Sequence, residues 1–310
     1  MPQATVVEQR KIWDQAPHNA FTSLVRYKDE WFCAFREGEG HVSPDGALRV
    51  LVSTDGAEWA SAARIASDTD DLRDAQICVT ADGRLMLSGA AVAQPRRDGG
   101  LQTRAYFSED GRTWSEGVDI GDQGLWLWRV TWHKDTAYGF GYATGIPEAE
   151  RFIRLYTSKD GAHFDTLVEA LRPNEYANES SMVFLDDDTC LCLLRRDNSS
   201  SCTNGLLGKA KPPYTEWAWQ DLGARIGGPC MIRLPDGRFA AAVRLYDGEV
   251  RTGLCWIDPD AGTLTEFLAL PSGGDTSYPG LVWHDGLLWV SYYASHEGKT
   301  SIYLAKVRFD

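Results

Sequence analysis

Several side chains in this chain could do chemistry if the fold brought them together. Tyr278 lies in DTSYPG, Glu179 in NESS and His41 in REGEGHVSPDG. A tyrosine is a poor nucleophile while its pKa stays near 10, and a neighbouring glutamate can activate it by taking its proton. An imidazole titrates near neutral pH, so His41 could donate and then retrieve a proton. His18 is a second candidate for that work. Two or three arginines converging on one point would bind a carboxylate through planar, bidentate hydrogen bonds. Arg36, Arg195 or its neighbour Arg196, Arg244 and Arg129 are the candidates for such a clamp. Asp74, Asp275, Trp126, Tyr292 and His296 complete the set expected to meet a substrate.

These residues lie far apart in sequence, so the elements that position them decide whether they form a site. Apolar runs break at a short acidic or glycine turn and then resume, six times: VRYKDEWFCAF, CVTADGRLMLS, VTWHKDTAYGF, VFLDDDTCLCL, IRLPDGRFAAA and LVWHDGLLWVS. Their turn aspartates, Asp29, Asp82, Asp135, Asp187, Asp236 and Asp285, are 53, 53, 52, 49 and 49 residues apart. Each run reads as a β-hairpin, and a period in this range marks a propeller or solenoid. After each hairpin comes another pair of strand-like runs. The expected fold is all-β, a six-bladed β-propeller with four-stranded antiparallel blades in one domain over residues 1–310. The last unit is short, and the N-terminal run ATVVEQRKIW can supply its missing outer strand and close the ring.

A second repeat, Ser-x-Asp-Gly-x-x-aromatic, occurs as STDGAEW, SEDGRTW and SKDGAHF, beginning at Ser53, Ser108 and Ser158. It is the most conspicuous cluster of polar groups in the chain, and it reads as architecture. Strand direction alternates within a blade, so hairpin turns and these boxes share one face of the disk. His133, His163 and His284 fall on that face. The starts of first strands and the ends of second strands fall on the other face, near the axis. Arg36, Arg195, Arg196, Arg244 and Tyr292 are counted to the ends of second strands. Asp74, Glu179 and Tyr278 open first strands.

The formal charge of −13 argues against a nucleic-acid or anionic-membrane partner. It leaves room for an anionic small ligand at a local arginine cluster. The odd count of seven cysteines, placed in apolar runs, suits buried free thiols. Cys190 and Cys192 have no second Cys or His pair nearby, so no metal and no cofactor are expected. MPQATVVEQRKIW has no apolar signal region, which suits a cytoplasmic protein, or an extracellular or periplasmic one if a leader has been removed.

The Ser-x-Asp-Gly-x-x-Trp stretches resemble the Asp boxes (BNR repeats) of the sialidase superfamily, one residue shorter than the common form, and the resemblance covers most of the chain. It implies an exo-acting, retaining glycoside hydrolase that uses a tyrosine nucleophile rather than a second carboxylate. On the matching positions, Tyr278 would attack the anomeric carbon, Glu179 would activate it, and Arg195 (or Arg196) with Arg244 would clamp the carboxylate of a terminal acidic sugar. Two positions depart from the family. Ala20-Phe21-Thr22 stands where an Arg-Ile-Pro motif is usual, with Arg36 or Arg225 as possible replacements. The loop that normally carries an acid/base aspartate offers Glu37, His41 and Asp45, of which His41 is the first choice. The alternatives are another carbohydrate-active propeller, a glycosidase or lyase with a histidine acid/base at uronate-containing glycans, or a non-catalytic glycan-binding propeller.

Overall fold

The turn chemistry read from the sequence builds six hairpins around one axis. The computed structural model describes residues 4–97, 99–197 and 202–309. Six antiparallel sheets follow one another along the chain, each adding strands outward from the axis. Blade 1 shows the pattern: His18–Tyr27, Glu30–Gly38, Ala47–Ser53 and Ala60–Ile65. In blade 6 the fourth strand is Ala4–Trp13, which pairs antiparallel with Ser301–Phe309 and closes the ring. The six-bladed, four-stranded, all-β fold is as expected. The helical content among the described residues is one short 3-10 turn, Glu148–Glu150.

The hairpin turns adopt the left-handed backbone that their sequences suit. Lys28 and Asp29 both have positive φ, as do Asp285 and Gly286. The core lies between blades, where the two apolar faces of neighbouring sheets meet. Leu191, Leu193 and Leu207 of blade 4, for example, join Ala241, Val243 and Cys255 of blade 5 in one buried cluster.

Each Ser-x-Asp-Gly turn connects the third and fourth strands of its blade and braces the blade before it. A Cβ on Gly111 would lie 2.1 Å from the Phe32 ring of blade 1, and one on Gly56 would lie 2.2 Å from Trp289 of blade 6. Only glycine lets these turns approach so closely.

The first strands share one irregularity that the hydrophobic pattern does not announce. In blades 1, 2, 4, 5 and 6 the register slips by one residue near the axial end. The slips lie between Ala20 and Ser23, Arg73 and Gln76, Ala177 and Ser180, Gly227 and Cys230, and Ser277 and Gly280. Each is a β-bulge, which bends the strand and re-aims a side chain. Phe21, Asp74, Gly228 and Tyr278 occupy the same bulge position in four blades, and all four have positive φ. In blade 3 the strand breaks altogether, at Trp128–Val130.

Candidate active site

The bulges direct side chains from several blades onto one point at the axis. Tyr278 has φ of 45° and its neighbour Ser277 has 89°, a backbone that costs on the order of 1–3 kcal/mol per residue and clusters at functional sites. Gly228 makes room for it, since a Cβ there would lie 2.7 Å from the Tyr278 ring. Phe21 meets the same ring edge-on at 5.0 Å, and Trp128 at 6.1 Å.

The Tyr278 hydroxyl donates to Glu179 Oε1 at 2.6 Å across 99 residues of sequence. Glu179 is buried and accepts further bonds from Arg195 Nη1 and from the Gly228 backbone N–H at 2.9 Å. Arg195 Nη1 also donates to the Tyr278 oxygen at 2.7 Å. Its other nitrogens bind Asp197. Burial pushes the Tyr278 phenol well above 10, and the nearby Arg195 and Arg244 pull the other way. The resting phenol is therefore protonated, with Glu179 placed to take its proton.

A second cluster adjoins the first. Asp275 Oδ2 lies 2.8 Å from His41 Nδ1 and 3.1 Å from His18 Nε2. Its other oxygen accepts from the Tyr293 hydroxyl at 2.7 Å and from Arg244 Nη2 at 3.1 Å. Burial opposes the charge of Asp275, but the bonds from His18, His41 and Tyr293 outweigh it and hold the carboxyl well below the ordinary range. An ionised Asp275 that accepts from His41 Nδ1–H leaves Nε2 of that ring to exchange a proton with a ligand, the geometry of an oriented acid/base histidine. His41 is exposed on its loop, whereas His18 is buried.

Asp74 is the third component. It is buried, and its Oδ2 accepts one hydrogen bond, from Trp128 Nε1 at 3.0 Å. Burial pushes its carboxyl up to about 6, with Arg73 opposing and Glu179 adding to the shift. A carboxyl poised there can act as a general acid.

The structure thus brings together Tyr278, Glu179, Arg195, Arg244, Asp275, His18, His41 and Asp74, and it moves other candidates away. Arg36 pairs with Ala20 as Arg244 pairs with Gly227, so its register suits the axis. Its guanidinium nevertheless turns to Asp71 and to the carbonyls of Gly40 and Ser43 and is fully buried, so it props the His41 loop instead of clamping a ligand. Arg196 binds Asp221 and the Asn204 carbonyl, away from Tyr278. Tyr292 is buried in the blade 6 core, stacked on Tyr303, and its neighbour Tyr293 takes the axial place, because one residue along a strand reverses the face. His296 lies against Tyr303 and Glu297 rather than in the cluster. Arg129 lies in the axial channel with Cys230 and the Pro279 carbonyl, and Trp126 stacks on Tyr142. Arg225 reaches Asp197 at 3.6 Å.

Sequence reasoning missed Tyr293 and Asp197. Counting from Ser291, which shares a face with Tyr293, would have found the first; Asp197 had no signal beyond its closeness to Arg195. On the opposite face, His133 binds Asp188, His163 binds Asp160 and His284 packs on Trp31.

His18, His41 and Asp275 offer three donor atoms within 4.8 Å of one another. Arg244, 3.1 Å from the same carboxylate, already supplies a positive charge there and opposes a cation. All seven cysteines are unpaired.

No protein-family model matches the chain, and no curated protein matches it in sequence. Solved structures match over its full length. A protein of unknown function from Dyadobacter fermentans superposes with a TM-score of 0.86 at 18% identity, covering 100% of both chains. The Penicillium chrysogenum alpha-L-arabinanase, complexed with arabinobiose, gives 0.75 at 12% identity, covering 97% of this chain and 98% of that one. The Trypanosoma rangeli sialidase in complex with the inhibitor DANA gives 0.73 at 11% identity, covering 99% of this chain and 60% of that one. The likeness at these identities is one of fold: the six-bladed propeller is shared with the arabinanase and the sialidase.

Proposed function

We propose that this protein is a retaining, exo-acting glycoside hydrolase in which Tyr278 is the nucleophile, acting on a terminal acidic sugar such as a sialic acid. The contact between the Tyr278 hydroxyl and Glu179, 2.6 Å, carries the reading. Glu179 takes the phenolic proton as the oxygen attacks the anomeric carbon. His41, protonated and held by Asp275, gives its Nε2 proton to the leaving oxygen. Water then attacks the glycosyl-tyrosine bond, His41 takes a proton from that water, and Glu179 returns its proton to the phenol. Arg195 and Arg244 flank the tyrosine, Arg195 on its oxygen and Arg244 5.2 Å over its ring, and are the positive groups nearest a substrate carboxylate. The names of the sialidase and arabinanase that share the fold support a carbohydrate substrate.

One observation favours a second reading. Arg195 is already matched by Glu179 and Asp197, and Arg244 by Asp275. A site with matched arginines suits a neutral terminal sugar, cleaved between two carboxyl groups, with Asp74, at about 6, as the acid and Glu179 as its partner. Tyr278→Phe separates the two. Assayed on 4-methylumbelliferyl sialoside and arabinofuranoside, the first reading expects sialoside turnover that the variant abolishes with its thermal unfolding intact. Full turnover in the variant removes Tyr278 as nucleophile.

A further inference from the structure

The loop that carries His41 has an equivalent in blade 2. The described residues 94–97 and 99–100 lie between the second and third strands there, as 39–46 do in blade 1, so both stand on the axial face. The blade 2 loop contains Arg96 and Arg97, both exposed. With Arg73 and Trp126 they line a cleft of about 680 Å3 between blades 2 and 3, within the usual range of roughly 300–1,000 Å3 for ligand pockets. The cleft is open where Gly99 and Gly145 line it, since a Cβ on either would meet nothing within 4 Å.

Its electrostatics run against the rest of the molecule. The chain carries −13, yet three arginines and no carboxylate line this cleft among the described residues. The nearby Asp71 is fully buried, bound by Arg36 through Oδ1 and 3.9 Å from Arg73 Nε through Oδ2, which leaves Arg96 and Arg97 as the cleft's arginines without a close carboxylate among the described residues. No side-chain hydrogen bond or ion pair among the described residues holds Arg96 or Arg97. One donor in the wall is also unmet: Trp126, 7% exposed, has a buried indole N–H without a hydrogen-bond partner, whereas Arg73 Nε faces the Asp71 carboxylate at 3.9 Å. Among the described residues, the Arg96 and Arg97 guanidiniums beside the unpaired, desolvated Trp126 N–H form a set of donors suited to an oxyanion.

The cleft continues from the axial site. Arg73 Nη2 donates to the His41 carbonyl at 3.3 Å, its guanidinium lies 5.9 Å from the Trp126 ring centroid, and the next residue is Asp74. A sugar chain whose terminal unit sits at Tyr278 would leave past His41 along this wall. We propose that the cleft is a second subsite that binds a carboxylate or sulfate ester on the leaving-group side of the glycan. The indole would offer its N–H and an apolar face to a sugar ring, and Arg73, Arg96 and Arg97 would take the anion. This rests on the axial site holding a sugar, and not on which nucleophile cleaves it.

Binding tests it without turnover. Calorimetric titration of the Tyr278→Phe protein would use trigalacturonate, its fully methyl-esterified form, a sulfated galactan trisaccharide and neutral galactotriose. The expected result is that at least one anionic probe binds 10-fold or more tighter than its uncharged counterpart, with an affinity that falls as salt rises. The carboxylated and sulfated arms tell which anion is preferred. The Arg96→Ala/Arg97→Ala pair should erase that preference and leave binding of the uncharged sugars unchanged. Equal binding of charged and uncharged probes, no binding of either anionic probe at low salt, or a preference that survives the double variant overturns the subsite. A protein that binds anionic trisaccharides through these arginines but hydrolyses no glycoside keeps the subsite and defeats the glycosidase reading.

Discussion

Asp74 and Asp110 are the same residue type, drawn in opposite directions by their surroundings. Asp110, in SEDGRTW, is exposed, and its Oδ1 accepts the backbone N–H groups of Thr113 and Arg112 at 2.7 and 2.8 Å and the Ser108 hydroxyl at 3.1 Å. Those bonds, the Thr113 N–H first, hold its carboxyl down at about 2. Asp74 sits on a strained bulge, accepts one indole N–H and is pushed up to about 6 by burial. The box closes Ser108, Asp110 and the Trp114 indole within three residues of each other, and its Arg112 is taken up by Glu30 of the neighbouring blade. The axial groups complete their network across blades, Tyr278 with Glu179 and Asp275 with His18, His41 and Arg244, at a cost in burial and backbone strain. Conspicuous polarity that satisfies itself locally is architecture, and polarity that needs three blades to satisfy it marks the site.

The largest effects should come from breaking the axial network. Glu179→Gln removes the proton acceptor of Tyr278 and a counter-charge of Arg195. It should lower kcat/KM by roughly 10²–10⁴-fold, while a box substitution leaves kcat/KM unchanged under the same assay. Asp275→Asn comes next. It deprives His41 of its orienting carboxylate, and a loss of about 10²-fold is expected. If Asp275 acts through His41, the double variant with His41→Ala should be no worse than His41→Ala alone. Multiplying losses would separate the two residues.

The two aspartates also give opposite pH signatures. The carboxyl of Asp74 is raised in the folded state from 3.8 to about 6. Its contribution to stability is full below the unfolded value and is lost as pH rises through about 6. That of Asp110, lowered to about 2, is full above the unfolded value and is lost as pH falls through about 2. Urea unfolding between pH 4 and 7 should therefore show wild type losing about 2 kcal/mol relative to Asp74→Asn as pH rises. Parallel curves would place the Asp74 pKa at its ordinary value.

The fold was legible because its signals are local. Six Asp or Gly turns at a near-constant period set the blade count, and ATVVEQRKIW matched the strand Ala4–Trp13 that closes the ring. The meeting of Tyr278 with Glu179 followed from equivalent positions in the repeat. The errors came where position alone does not fix direction. Arg36 has the register of Arg244, but Asp71 captures it. Tyr292 and Tyr293 differ by one residue, and the alternation of faces along their strand puts the second of them at the axis. The bulges have no composition of their own: Phe21, Asp74, Gly228 and Tyr278 share a backbone conformation and nothing in side-chain type.

The smallest effect should come from Asp110→Ala, and its smallness is informative. The substitution strips acceptors from the N–H groups of Arg112 and Thr113, both of which lie at the exposed tip of the turn and can turn to water instead. The buried part of the turn is held by a different atom: Ser108 Oγ accepts the Gly111 N–H at 2.8 Å and keeps that glycine against Phe32 of the preceding blade. A loss of about 1 kcal/mol is expected for Asp110→Ala, a fall in Tm of roughly 2 °C for a chain of this size, and unchanged kcat/KM. Gly111→Ala in the same turn should cost more, because its Cβ collides with the Phe32 ring and its backbone has φ of 71°. If Asp110→Ala instead lowered kcat/KM at constant Tm, the box would not be closed on itself, and the division between the two faces of the disk would fail.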